Sequence, residues 1–396
     1  MLLAQDGHQA SDRIHEGITR GIISGAVLST IFRKPDTIET AMSDLRSINN
    51  DALLLLDNEF YINAIVGAEK VGKFNEYPYY SHPLTKKDLS SPFKLGEHIA
   101  KTIDYQVEVA RLKCVTTPGV VVESFEHTSE AICLSLLSGA CEYIADKHAN
   151  SVDAVYATLV INEQAFSATD TLPSFLDSLT GYDDLKGFYI VIDKTTSPLA
   201  YWSNPATLAA MMYIVKTLES NGYEVILGYA DVPDLLGLAV GAKAIATGWW
   251  DNTSSFSQKK FMNGHGRRNK KYFSPQLLNS IYIDPELQSA KALNLIDKIT
   301  AGSEFDAELV EDPYDTAWTD RIAILHKWQC MKAVVDDIEA AGSEAEKLQA
   351  VEAHIDKSLE VYGELTSAGI KFHPHTGSRK TNAMKQAIAI YKEGVL

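Results

Sequence analysis

The sequence predicts an α/β fold of the (β/α)8 TIM-barrel type with a C-terminal α-helical appendage. Apolar, β-branched-rich runs recur between Gly25 and Gly248, each flanked by a stretch of helical period. Strands buried on both faces read as continuous apolar runs, and their alternation with helices implies a parallel sheet. Several runs stop abruptly at a polar or charged residue. In a barrel, that is where catalytic and ligand groups sit.

Taken in order, a helix over Ser11–Ile23 starts at a serine and leads into the first strand, GAVLST (Gly25–Thr30). PDTIETAMSDLRSI follows, with proline in the first turn and early acids, as helix starts prefer. The second strand, ALLLLD (Ala52–Asp57), opens a long inserted loop, 58–92, whose YPYYSHPL suggests an ordered aromatic excursion. A loop of that length inside a compact unit marks function or disorder. The remaining strands are KCVTT (Lys113–Thr117), VYATLVINE (Val155–Glu163), FYIVIDK (Phe188–Lys194), YEVILGYAD (Tyr223–Asp231) and KAIATG (Lys243–Gly248). Helices fit between them, the clearest being SNPATLAAMMYIVKTLESNG with its Asn-Pro start and terminal glycine. A weaker run, Ser280–Ile283, is expected to close the count at eight. From Asp315 onward the pattern is helical, over Ala317–Ala341, Ser343–Ser367 and Ser378–Lys392. The expected division is a barrel over 1–310 and a helical appendage over 311–396 packed on it.

Composition narrows the function classes. No stretch of about 18 apolar residues occurs, so no membrane span is expected, and the polar N-terminus does not read as a signal peptide. The four cysteines form no CxxC or CxC pair, which predicts reduced thiols in a cytoplasm. No metal site and no cofactor is expected. The net charge of −16 argues against a chain coated by nucleic acid. The acidity is concentrated between Pro285 and Ile370, with 18 acids against 7 Lys and Arg, which offers a docking surface for a protein partner or an oligomer. Against that background Lys259–Lys271 holds six Lys and Arg and no acid, an asymmetry that points to an anionic ligand.

The candidate catalytic residues are strand-end carboxylates: Asp57, Glu163 and Asp193, with Glu59 and Asn162 beside them. Converging carboxylates raise one another's pKa and so separate into an acid and a base. Asp231 reads as a helix cap beside Asp234. Lys194 follows Asp193 directly, and adjacent strand residues face opposite sides, so Asp193 is assigned the inward direction. Trp249 and Trp250 offer a flat surface for a base or sugar, with Asp251 next to them. His265 lies between glycines that allow close backbone approach, and Arg267, Arg268 and Lys270 suit phosphate. His373 and His375 flank a proline in a turn before the last helix.

The stretch LLGLAVGAKAIATGWWDNTSSFSQKKFMNGHGRR resembles part of the tRNA-guanine transglycosylase family, where a late barrel strand leads into a basic loop rich in Asn, Gly and Arg. LLLLDNEFY is similar in placement to that family's strand-end aspartate, which contacts the base and handles a proton, and the resemblance carries that role to Asp57. The place of the family's nucleophilic aspartate reads Ala246-Thr247-Gly248, with Asp251 a few residues beyond, and the CxCxxC zinc cluster is absent. The leading expectation is an enzyme acting on a phosphate-bearing, base-containing substrate, a nucleotide or nucleic acid, in a base-exchange or glycosidic-bond reaction. The same residues also leave open a hydrolase or lyase on a small phosphorylated metabolite, a carbohydrate hydrolase with paired carboxylates, and a non-catalytic barrel that docks partners through its acidic helices.

Overall fold

The computed structural model describes residues 1–8, 11–167, 169–194, 204–248, 250–262, 269–311 and 318–394. Eight parallel strands form the ring: β1 (Leu2–Gln5), β2 (Gly25–Ser29), β3 (Leu53–Asp57), β4 (Cys114–Thr116), β5 (Ala154–Asn162), β6 (Gly187–Asp193), β7 (Glu224–Gly228) and β8 (Ala244–Thr247). Their spatial order is β3-β2-β1-β8-β7-β6-β5-β4. Helices α1 (Ser11–Thr19), α2 (Ile38–Ile48), α3 (Pro92–Asp104), α4 (Thr128–Lys147), α5 (Leu172–Leu179), α6 (Pro205–Ser220) and α7 (Leu235–Ala239) alternate with them. The fold is a TIM-type barrel with C-terminal helices.

One strand differs from the expectation. Ser280–Ile283 does not close the barrel; its first three residues belong to β10 (Asn279–Tyr282), paired antiparallel with β9 (Lys271–Ser274) in a separate hairpin. The missing strand is β1, which pairs with β2 through Ala4↔Ala26 and with β8 through Leu3↔Ala246. Both hairpin strands are four residues long and joined by a short turn, so they satisfy each other locally instead of crossing to the barrel.

No backbone ladder joins β3 to β4 among the described residues, and side chains hold the two together instead. Thr116 Oγ1 donates to the Leu56 carbonyl at 2.6 Å, and Asn58 Nδ2 donates to the carbonyls of Thr116 and Thr117 at 3.1 and 2.9 Å. The Gln106 amide takes the place of a neighbouring strand for Thr116, accepting its N–H at 2.9 Å and donating to its C=O at 2.8 Å. The Leu56 carbonyl, both backbone groups of Thr116 and the Thr117 carbonyl are paired in this way, as burial requires.

Three long helices complete the chain: α8 (Asp320–Glu339), α9 (Glu344–Ser367) and α10 (Arg379–Glu393). Thr319 caps α8 and a Ser343–Glu346 capping box opens α9. α8 lies against β1, α1 and α7, and its Trp328 Nε1 donates to the Thr247 carbonyl at 2.9 Å. The hairpin is fixed to the same helix, with His326 Nε2 bonded to the Phe273 carbonyl at 2.7 Å. None of the described helices is long and apolar enough to cross a membrane. The four cysteines are unbridged, and burial pushes the Cys133 thiol up to about 12.

Candidate active site

β3 leaves Asp57 at its last position, and the chain turns at once. Asp57 Oδ1 accepts the Glu59 N–H at 3.0 Å, and Glu59 adopts left-handed backbone with φ of 52°. That turn sends the Glu59 side chain back over the end of β2, where Thr30 Oγ1 donates to it at 2.7 Å, the Ile31 N–H at 2.8 Å and Ser29 Oγ at 2.9 Å. Tyr229, at the end of β7, donates to the same carboxylate at 3.1 Å and is also left-handed, with φ of 50°. Holding a non-glycine residue there costs on the order of 1–3 kcal/mol, and such strain clusters at functional sites. Asp57 Oδ2 receives the hydroxyls of Tyr61 and Tyr189 at 3.0 and 3.1 Å. Two fully buried carboxylates thus stand side by side just past β3, each accepting tyrosine hydroxyls.

Burial and the neighbouring Glu59 charge raise the Asp57 carboxyl to about 7, although Lys260 and two hydrogen bonds pull it down. Glu59 is likewise raised by burial, against the pull of Lys260 and its hydroxyl and amide donors. Burial pushes Tyr61, Tyr189 and Tyr229 well above the usual phenol range, so all three hydroxyls stay protonated donors. Gln5, at the end of β1, accepts from the Tyr229 N–H at 3.1 Å, while its Nε2 is buried with no hydrogen-bond partner among the described residues.

A strap of chain after β8 crosses this mouth. At one end the Lys194 N–H donates to the Phe256 carbonyl at 3.0 Å, and Gln258 Nε2 donates to Asp193 Oδ2 at 2.6 Å. At the other end the N–H groups of Glu69 and Lys70 both donate to the Phe261 carbonyl at 2.8 Å. Between these anchors the half-buried Lys260 places its Nζ 4.0 Å from the Tyr229 ring centroid, 4.6 Å from that of Phe256 and 4.9 Å from that of Phe261. Burial lowers this amine to about 8 in spite of the nearby charges of Glu59, Asp57 and Asp193.

These shifts set a pH dependence of stability. Asp57 binds its proton more tightly folded than unfolded, so the stability it confers is full below its ordinary value of 3.8 and is lost as pH rises through about 7. Lys260 binds its proton less tightly folded, so stability returns as pH rises from about 8 toward 10.5. Melting temperatures of the wild type should therefore fall between pH 4 and 7, and Asp57→Asn should flatten that fall. Parallel curves for the two proteins would rule out this assignment.

The strand-end residues separate into two groups. Asp193 faces inward and is tied to Asn162 Nδ2 at 2.6 Å as well as to the strap. Lys194 is buried on the other side, beside Asp234 and Asp231, and burial lowers its amine. Asp231 is more than a cap: Lys380 Nζ of α10 lies 2.5 Å from it and Lys327 Nζ of α8 3.8 Å. Burial alone would raise Asp231, but these lysines together hold it below the usual carboxylate range. Glu163 opens the turn after β5, half-buried, with its charge acting on Lys194. Trp250 precedes the short Asp251–Ser254 turn, and exposed Lys270 adjoins the hairpin, its carbonyl accepting the Ile283 N–H at 3.1 Å. Trp249, His265, Arg267 and Arg268 lie outside the described residues.

Asp104, Glu108 and His148 bring one possible metal-ligand atom each within 4.8 Å of one another. They stand where α3 and α4 lead back toward the starts of β4 and β5, at the opposite end of the barrel from Asp57, and His148 Nε2 is already engaged with Asp104 Oδ1 at 2.8 Å. Gln5 and Tyr229, at the ends of β1 and β7, and Tyr61, Tyr189 and Lys260 are site residues that the search for strand-end carboxylates does not reveal. No protein-family model matches this chain, and no curated protein matches it.

Proposed function

We propose that this chain is a (β/α)8-barrel enzyme that transfers a proton to a leaving nucleobase and cleaves or exchanges the bond between base and sugar. The observation carrying the reading is the fully buried Asp57 carboxyl at the end of β3, raised by burial to about 7 and bonded to the Glu59 N–H and to the Tyr61 and Tyr189 hydroxyls. A general acid works best when its pKa lies near the operating pH. Protonated Asp57 supplies the leaving base, and Tyr61 and Tyr189 hold the carboxylate that results. The Gln5 Nε2 donor suits a carbonyl or ring acceptor on the substrate. The resemblance of LLLLDNEFY to a base-contacting strand end favours a nucleobase, and the basic run Lys259–Lys271 favours phosphate on the same substrate.

Incubation with RNA, DNA oligomers and free nucleotides, with released base followed by chromatography, tests this. Wild type should release or exchange a base from at least one class. Asp57→Asn should lower that rate by about 10²–10⁴, the range general acid catalysis contributes. A rate unchanged by Asp57→Asn, or no base released from any of the three classes, would refute the reading.

A further inference from the structure

We propose that Lys260 is the covalent nucleophile of this mouth, its Nζ forming an imine with the anomeric carbon of the substrate's sugar. The inference rests on the base-releasing reading and adds the attacking group which that reading lacks. At the end of β8 stand Ala246, Thr247 and Gly248, none of them a carboxylate. The strap that follows delivers an amine instead. Its two anchors, on Asp193 and Lys194 at one side and on Glu69 and Lys70 at the other, fix the backbone around Lys260. Three aromatic faces surround Nζ within 4.9 Å of their centroids. Among the described residues Lys260 makes no ion pair.

Buried lysines that serve structure look different here. Lys380 is locked onto Asp231 at 2.5 Å and onto the Asn279 amide oxygen at 3.2 Å. Lys260 is held by rings, which cover Nζ without taking its lone pair, and its charge partners act on it from beyond ion-pair distance. A lysine desolvated among apolar rings is the arrangement that activates an amine toward carbon electrophiles.

The steps balance without an oxidant or reductant. The Nζ lone pair bonds to the anomeric carbon as the carbon–base bond breaks, and the departing base takes the Asp57 proton. Nζ then returns a proton to the Asp57 carboxylate. The ring oxygen leaves the anomeric carbon with that proton, and the nitrogen lone pair completes a protonated imine. Water hydrolyses the imine to free amine and open-chain sugar.

Borohydride reduction of the full-length protein with ribose 5-phosphate, followed by peptide mapping, tests the amine directly, without requiring base release. The reduced adduct should appear on Lys260 at pH 8 about ten-fold or more ahead of exposed lysines such as Lys86 and Lys113. Lys260→Arg, checked by its melting curve, should lose base release by a hundredfold or more. Labelling confined to exposed lysines overturns the proposal, and so does undiminished base release in Lys260→Arg. If the arginine variant does not fold, the wild-type peptide map decides. A wild type that forms the adduct but releases no base defeats the functional reading alone, whereas base release without an adduct at Lys260 defeats this one alone.

Discussion

Leu3→Asp should abolish the cooperative thermal transition. Leu3 is fully buried in β1, and among the described residues β1 alone links β2 to β8 in the ladder order. The substitution removes a buried leucine side chain, worth about 2–5 kcal/mol by comparison with truncations to alanine. It also places a carboxylate beside Ala246, its register partner on β8, where the pairing supplies no cation. Whole domains are stable by only about 5–15 kcal/mol, so the two losses together exhaust the margin. Circular dichroism on heating should show a sigmoidal transition for wild type and a shallow drift for the variant. Leu3→Ile, which conserves volume, should stay within about 1.5 kcal/mol of wild type. A Leu3→Asp protein melting within a few degrees of wild type would show that β1 is not structural.

Lys380→Met should destabilise the chain by roughly 3–5 kcal/mol, because it removes one partner of a buried pair and leaves the other's charge behind. Asp231 is 8% exposed and Lys380 5%, so water cannot replace the lost ammonium. Lys327 remains, but at 3.8 Å and already donating to the Gly248 carbonyl and Ser254 Oγ. Removing both charges in Asp231→Asn/Lys380→Met should recover part of the loss, because the residual cost is desolvation of a neutral amide. Urea titration of the three proteins measures this. A single variant within about 1 kcal/mol of wild type would mean that the pair behaves as a surface contact. Lys380 comes from α10 and Lys327 from α8, so the same measurement reports how firmly the C-terminal helices hold the ends of β6 to β8.

Seven of the eight barrel strands were legible because each is a continuous apolar run, and Asp57 and Asp193 because each ends one. β1 was not: four residues at the start of the chain leave no room for a period, and LLAQ reads as an approach to the first helix. Tyr189 was hidden inside the run FYIVIDK, where a tyrosine counts as apolar although its hydroxyl reaches Asp57. Lys260 lay within a basic stretch whose evident meaning was phosphate. Its environment comes from Tyr229 on a strand end and from Phe256 and Phe261 on the strap, an encounter that local sequence does not encode. Lys194 and Asp193 divided as strand alternation requires, but the carboxylates beside Lys194, Asp231 and Asp234, come from the turn after the next strand, β7.

The side-chain join between β3 and β4 makes this barrel an open ribbon bent into a ring, with two strand edges brought face to face. An exposed edge offers unpaired amide and carbonyl groups to any passing extended segment, the usual start of edge-to-edge aggregation. Here Gln106 occupies the hydrogen-bonding groups of Thr116, and Asn58 occupies the carbonyl of Thr117. The two amide side chains thus act as a guard: they deny a foreign strand the backbone it would need, and they leave the barrel free of the register constraint that an eighth ladder would impose.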